Sequence, residues 1–564
     1  MIIMDLKNLK EYIDKNKSLE VAEELKQKTL EATTNKEFNE KAFIIKHNKK
    51  HKSNFKRIIA VAACLLLAVG LGTTALFSGL FSGMLKANYY ENEDPLRYIP
   101  NIIVENEEIN KDMIDEAYQN NDIIENPIVK TSTENISTFS IDVDTASYVN
   151  FRRYISTMSL SQFQNNKYTI RTEEAINYFN YSYDKPVGDT PIAVTTTVGD
   201  CSWNLKAKLA MITVVGKELI TTEQAGSNIV FLVDVSGSMS AEDKLPLLKE
   251  SLTMAIENLN EKDTVSIVTY AGGVQTILSG AGGNEKYRII EAFNSLVSGG
   301  GTAGADGLNL AYSVANDYFI ENGNNRIILA TDGDFNVGPN SVEEMEQLVT
   351  QKRESGIFLS VIGFGVSYNS GDKRLEVLAD NGDGGYYVID CLDEGEKVLC
   401  DQFSSTLYTV AKDVKLQVEF NINAVESYRL IGYENRVLSN KDFENDAVDA
   451  GDLGAGQTVT ALYEIVLKEN AASDLFNVDV RYKDPNENES KLYSHTAQIS
   501  TNLTGDFYFA SAVAEACLVI NNSKYKGTAS LEHTVDTARL YSNGDIYKEN
   551  FVKLLESVIN NYNT

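Results

Sequence analysis

Five oxygen-bearing side chains stand where the chain changes character. The apolar run Asn228–Val233 stops on Asp234-x-Ser236-x-Ser238, the run Arg326–Ala330 stops on Thr331-Asp332, and between them the glycine-rich stretch GGGTAGADG offers Thr302. Side chains at alternate positions just past a strand can aim at one point. Carboxylates and hydroxyls are hard donors, which suit Mg²⁺, Mn²⁺ or Ca²⁺ and not zinc. Asp234, Ser236, Ser238, Thr302 and Asp332 together could hold one divalent cation. Each piece also has a plainer reading: Asp-x-Ser-x-Ser can cap a helix, and TDG is a common turn. The three in this order, on one strand–helix pattern, are far more specific.

A shared site requires Asp234 and Asp332 at the same edge of one sheet, and residues 227–411 supply that frame. NIVFLVD, TVSIVTYA, RIILATD and FLSVIGFG read as strands apolar on both faces. Lys244–Leu259, Lys286–Leu296, Asp306–Phe319 and Val342–Lys352 between them carry apolar residues at helical spacing. Such strands predict a doubly wound, mostly parallel α/β sheet, whose ligands bind at the carboxyl ends of strands. Asp234 and Asp332 both fall there.

Other chemistry finds little support. Gly299, Gly301 and Gly304 match G-x-G-x-x-G, but the helical EAFNSLVS precedes them where a dinucleotide fingerprint needs a strand, so no nucleotide is expected. There is no Walker A loop, no G-x-S-x-G elbow and no H-E-x-x-H. An aspartyl-phosphate phosphatase would need an acid where Ser236 stands. The four histidines, His47, His51, His495 and His533, have no zinc spacing with cysteine. Paired carboxylates are numerous, and none has a diagnostic setting. The chain is expected not to be an enzyme.

At 564 residues the chain exceeds one core. A formal net charge of −29 and a pI of about 4.6 argue against nucleic acid, which needs a basic surface. The Asn/Lys/Ile bias points to an AT-rich, bacterial genome. Residues 1–57 run the other way, with 14 Lys+Arg against 9 Asp+Glu. They read as a short helical segment, and Ile58–Leu80 follows with 23 residues and no charge, enough to span about 30 Å of hydrocarbon. The basic cluster Lys46, Lys49, Lys50, Lys52, Lys56 and Arg57 precedes it, while Glu91, Glu93 and Asp94 follow. The positive-inside rule then predicts a single-pass cell-membrane protein with a cytoplasmic N-terminus and extracytoplasmic main domains. Val61-Ala62-Ala63-Cys64 resembles a lipoprotein cleavage box, yet too few apolar residues precede Cys64, so a retained anchor is the expectation and lipidation the lesser alternative. Residues 81–130 form an acidic tether. Five cysteines make no disulfide framework; Cys391 and Cys400 could bridge, but buried free thiols are the preferred reading.

The text from residue 131 onward is distinctive. STFSIDVDTASYVNFRRYI, RTEEAINYFNYSY and CSWN lead into the strand–helix region, and AKDVKLQVEFN with YRLIGYENRVL follows it. These motifs resemble the bacterial YfbK-type proteins built on a von Willebrand factor type A domain, and the likeness covers residues 131–564. It implies an α+β N-terminal domain at 131–226, then the type A domain at 227–411 and a β-rich C-terminal domain at 412–564. The residues themselves predict a helix starting after Thr172 as N-cap, with Glu173 and Glu174 in its first turn, and helices at Phe507–Ile520 and Tyr547–Asn560. It also implies that Asp234, Ser236, Ser238, Thr302 and Asp332 form a metal-ion-dependent adhesion site. Ser236 and Ser238 would ligate directly, Thr302 directly or through water, and the two aspartates largely by orienting water and the serines. The expected function is an adhesion or binding protein that captures a carboxylate of a protein partner through Mg²⁺, or Mn²⁺ or Ca²⁺. The alternatives are a metal-dependent hydrolase, or an envelope signalling receptor with a cytoplasmic tail.

Overall fold

The computed structural model describes residues 125–562 apart from 220–225, 302–303, 334–341, 366–369, 486, 488 and 501–502. The expected cytoplasmic segment 1–57, the span Ile58–Leu80, most of the acidic tether and Thr302 lie outside the described residues. Among the described residues no helix is long and apolar enough to cross a membrane.

The first elements are β1 (Val129–Lys130), β2 (Ile136–Ser140), α1 (Ala146–Ile155), α2 (Leu160–Asn165), α3 (Thr172–Asn177), β3 (Ile192–Asp200) and β4 (Lys208–Gly216). The α/β region follows as β5 (Ser227–Asp234), α4 (Leu245–Ala255), β6 (Thr264–Tyr270), β7 (Val274–Gly282), α5 (Lys286–Ser295), α6 (Gly304–Asp317), β8 (Asn324–Thr331), α7 (Val342–Glu354), β9 (Phe358–Phe364), α8 (Ser370–Asn381) and β10 (Tyr386–Ile389). Its six strands order as β10-β9-β8-β5-β6-β7. β5 and β8 are central, and every residue of each is buried. The period-two alternation divides β5 between two cores. Ile229, Phe231 and Val233 meet Leu248, Leu252 and Phe293 on one face, and Val230 and Leu232 meet Leu308 and Ala311 on the other. Two-sided burial is why these strands read as unbroken apolar runs.

One strand departs from the parallel pattern: β7 pairs antiparallel with β6 at the sheet edge. Its sequence VQTILSGAG is largely exposed at its start and carries two glycines, so it gives no sustained apolar signal.

The remaining elements are α9 (Leu392–Glu396), α10 (Phe403–Leu407), β11 (Thr409–Phe420), β12 (Val425–Ile431), β13 (Val437–Leu438), β14 (Leu453–Gly454), β15 (Thr458–Leu467), β16 (Asp474–Lys483), β17 (Lys491–Gln498), α11 (Gly505–Ile520), α12 (Leu531–Tyr541) and α13 (Ile546–Tyr562). Here the expectation of separate flanking domains needs correction. One sheet orders β1-β12-β15-β4-β3 and the other β13-β2-β11-β16-β17, so each mixes strands from both sides of the α/β region. Met211 registers with Leu462, and Phe139 with Leu416. The sheets face each other through aromatic contacts such as Phe139 with Tyr463 at 6.2 Å and Phe420 with Tyr428 at 4.1 Å. The α/β unit is thus inserted into one two-sheet body. Neither flanking segment could close its sheets alone, because β2 has no partner until β11 arrives and the β3–β4 pair has an open edge until β15 covers it.

The C-terminal part carries the helices expected at Phe507–Ile520 and Tyr547–Asn560, as α11 and α13, and adds α12 between them. α11 packs on α3, α12 packs on α11 and α13, and ring contacts bring Phe509 to 5.1 Å from Phe179 and Phe551 to 6.2 Å from Tyr148. α3 starts one residue earlier than expected: Arg171, not Thr172, is the N-cap, and Glu173 and Glu174 fill the first turn. Cys201, Cys391, Cys400 and Cys517 are free; Cys201 and Cys517 are buried, whereas Cys391 and Cys400 are only partly so.

Candidate functional site

Strand register brings the two carboxylates together. Val233 of β5 pairs with Ala330 of β8, and Asp234 pairs with Tyr270 of β6, so the carboxyl ends of three adjacent strands meet at Asp234. Asp234 is fully buried. Its Oδ1 accepts the Ser236 backbone N–H at 2.8 Å and its Oδ2 accepts the Thr331 hydroxyl at 3.3 Å. The carboxylate therefore works inward, holding the turn that carries the serines. Within that turn Ser236 Oγ lies 2.9 Å from Ser238 Oγ.

The glycine-rich loop is tied to the same turn. Gly299 N–H donates to Val235 O at 2.7 Å, and Gly237 N–H donates to Gly300 O at 3.1 Å. Gly300 has φ +89°, and a Cβ there would stand 3.0 Å from Gly272 N, so this close approach needs glycine. The loop reaches the site as far as Gly301. Thr302, the fourth residue named from sequence, lies outside the described residues.

Asp332 stands one residue past β8 with its side chain 1% exposed. Its Oδ2 accepts from Lys244 Nζ at 3.0 Å. Lys244, Tyr270 and Thr331 are additions that sequence reasoning missed. Tyr270 and Thr331 belong to strands and read as core. Lys244 precedes a helix and reads as a surface lysine, and only the fold shows where it points.

Burial dominates the electrostatics. It raises the Asp234 carboxyl above its ordinary value, with the Ser236 N–H opposing and the Asp332 charge adding to the rise. The Tyr270 phenol is raised well above its usual value by burial first and by Asp234 second. A divalent ion nearby would reverse the balance at Asp234 by favouring the charged form.

The residues present fit such an ion. Two oxygens adjacent on a Mg²⁺ octahedron of radius about 2.1 Å lie roughly 3 Å apart, and the serine hydroxyls stand at 2.9 Å. That spacing is also a hydrogen bond, so the pair is held in place without the ion. Among the described residues no three His, Cys, Asp or Glu side chains gather as a metal-ligand group, so hydroxyls are the donors on which any cation here would depend.

Residues 228–395 match the von Willebrand factor type A domain family, residues 112–211 a family described as von Willebrand factor, and residues 405–560 the family described as "Uncharacterized protein YfbK, C-terminal". The inter-alpha-trypsin inhibitor heavy chain H3 of Homo sapiens is 30% identical over 163 residues, which is 28% of this chain and 18% of that protein. A solved von Willebrand factor type A protein from Catenulispora acidiphila aligns over 65% of this chain and 89% of its own, with 16% identity and a TM-score of 0.38. The "Uncharacterized protein YfbK" of Escherichia coli (strain K12) is 37% identical over 464 residues, 77% of this chain and 79% of that one. On that identity and that coverage, the chain belongs to the YfbK family of proteins built around a von Willebrand factor type A domain.

Proposed function

We propose that this protein is a membrane-anchored, extracytoplasmic binding protein whose type A domain captures an acidic group of a protein partner with the help of a divalent cation of the Mg²⁺ class. The observation that carries the reading is the Ser236–Ser238 hydroxyl pair at 2.9 Å, backed by a buried aspartate that orients the turn instead of offering itself to solvent. Ser236, Ser238 and, by resemblance, Thr302 would hold the ion. When bound, it supplies a Lewis-acidic position that a carboxylate can fill.

The chain's own residues favour capture over chemistry. Asp234 is turned to a backbone N–H and a hydroxyl, and Asp332 shares an oxygen with Lys244. The donors directed at the ion would thus be largely neutral, which leaves it attractive to an anion. No histidine stands among these residues to draw a proton from water. The anchor reading rests on the uncharged Ile58–Leu80 stretch behind a basic cluster.

The test is affinity capture from the native envelope by the full chain, with Mg²⁺ and with chelator. Capture should require the metal, and Asp234→Ala should lose it while folding normally. Equal capture by that variant, or in chelator, would overturn the reading.

A further inference from the structure

Lys244 enters the site along a built path. It directly precedes α4, and its side chain crosses to the carboxyl end of β8, where Nζ donates to Asp332 Oδ2 at 3.0 Å. Gly365, just past β9, has φ +58°, and a Cβ there would stand 2.7 Å from Lys244 Cγ and 2.9 Å from its Cε. The lysine stem therefore lies against bare backbone, and a side chain at 365 would push it aside. The adjacent carboxylate, Asp243, has its Oδ2 3.0 Å from the same Cβ position and 3.7 Å from Arg153 Nη2, a pair that adds no net charge. The Lys244 side chain is 21% exposed, and that of Asp332 is 1% exposed. Salt screens so sheltered a pair weakly.

Formal charge makes this contact consequential. Asp234, Asp332 and Lys244 carry two negative charges and one positive, a net of −1. A divalent ion brings the group to +1, whereas without the lysine it would be neutral. An ammonium beside a cation site also repels the cation, strongly so where water is sparse.

We propose that Lys244 is a built-in counter-charge of the metal site: it holds down the affinity for the divalent ion and leaves the loaded site net positive, which favours a carboxylate. This rests on the cation-dependent binding reading above. Lys244 acts as a positioning and charge-setting residue and is not itself a ligand. A lysine that merely propped up α4 would leave cation affinity where it was.

The test uses the full chain and Mg²⁺ alone, titrated calorimetrically. Lys244→Met keeps the length and apolar stem while removing the charge, and should bind Mg²⁺ about tenfold more tightly. Lys244→Arg should stay close to the wild type. With the site saturated by Mn²⁺ and acetate as the carboxylate probe, water-proton relaxation should show weaker acetate binding by Lys244→Met. Unchanged or weaker Mg²⁺ binding by Lys244→Met, or undiminished acetate binding, would overturn the proposal. Asp234→Ala separates the two levels. If it binds Mg²⁺ as the wild type does, the metal reading itself fails. If it loses Mg²⁺ while Lys244→Met matches the wild type, the role of Lys244 fails alone.

Discussion

The two ends of the central sheet hold aspartates in opposite ways. At the amino end of β10, Asp142, Asp144 and Asp380 gather on one guanidinium. Arg436 Nε lies 3.0 Å from Asp142, Nη1 3.1 Å from Asp380 and Nη2 3.5 Å from Asp144, with Glu376 at 3.7 Å. Asp144 also accepts the Tyr386 N–H at 3.0 Å, which fixes β10 to the chain just after β2. At the carboxyl end, Asp234 accepts from the Thr331 hydroxyl and the Ser236 N–H, while Asp332 accepts from Lys244. In sequence, Asp142-x-Asp144 is one of many paired carboxylates without a diagnostic setting. Its neighbours decide its role. A fork of five N–H donors consumes carboxylate oxygens and clamps segments distant in sequence. A buried carboxylate facing a turn N–H leaves serine oxygens presented instead.

Removing the fork should have the largest effect. Arg436→Met strands buried carboxylates at the junction of the two-sheet body and the α/β unit, and breaking a buried ion pair costs about 3–5 kcal/mol. Denaturant unfolding should show that loss, while Mg²⁺ affinity of the folded variant stays put. A variant that folded well but lost Mg²⁺ would join the two ends that the comparison separates. Asp234→Asn should give the mirror image: Mg²⁺ affinity falls about 10- to 100-fold, as for groups that orient metal ligands, with stability within about 1 kcal/mol. Calorimetric titration and unfolding midpoints on the same sample read both quantities.

The carboxyl-end site was legible because its residues sit at strand ends. An apolar run that halts on Asp234, and another that halts just before Asp332, declare both the strand and the place where it stops. The serine turn needed only local spacing. Lys244 was not legible, because its partner lies 88 residues away, beyond three further strands. The Arg436 junction was hidden for the same reason, with Asp142 separated from it by 294 residues. Likewise, β4 reads as a strand, but nothing in it names β15 as its neighbour. Alternation fixes which face is buried and leaves the pairing open. α12 was passed over because LEHTVDTARLY is amphipathic, polar on average and short.

Lys397 offers the finest test of the idea that buried charge here needs an opposite charge to hold it. It lies in a π-helical turn at Lys397–Asp401, is wholly buried, and its Nζ has no hydrogen-bond partner among the described residues. The ammonium sits 3.5 Å from the centre of the Tyr178 ring, while the nearby Glu394 is taken by Arg152 at 3.0 Å and by the Tyr178 hydroxyl at 2.7 Å. Burial, as the largest cause, lowers its pKa to about 8. An unfolded lysine titrates near 10.4. Between about pH 8 and 10 the unfolded chain holds a proton that the folded chain has lost, so folding stability should rise with pH across that window and lack this contribution below it. Lys397→Met, of similar volume and without charge, should raise stability by about 1–2 kcal/mol at pH 7 and flatten the rise. Urea midpoints at pH 7 and pH 9.5 measure both effects. A less stable Lys397→Met would mean that the ring face holds the ammonium better than burial opposes it, and the contrast between paired and unpaired charge would then fail at a wholly buried cation.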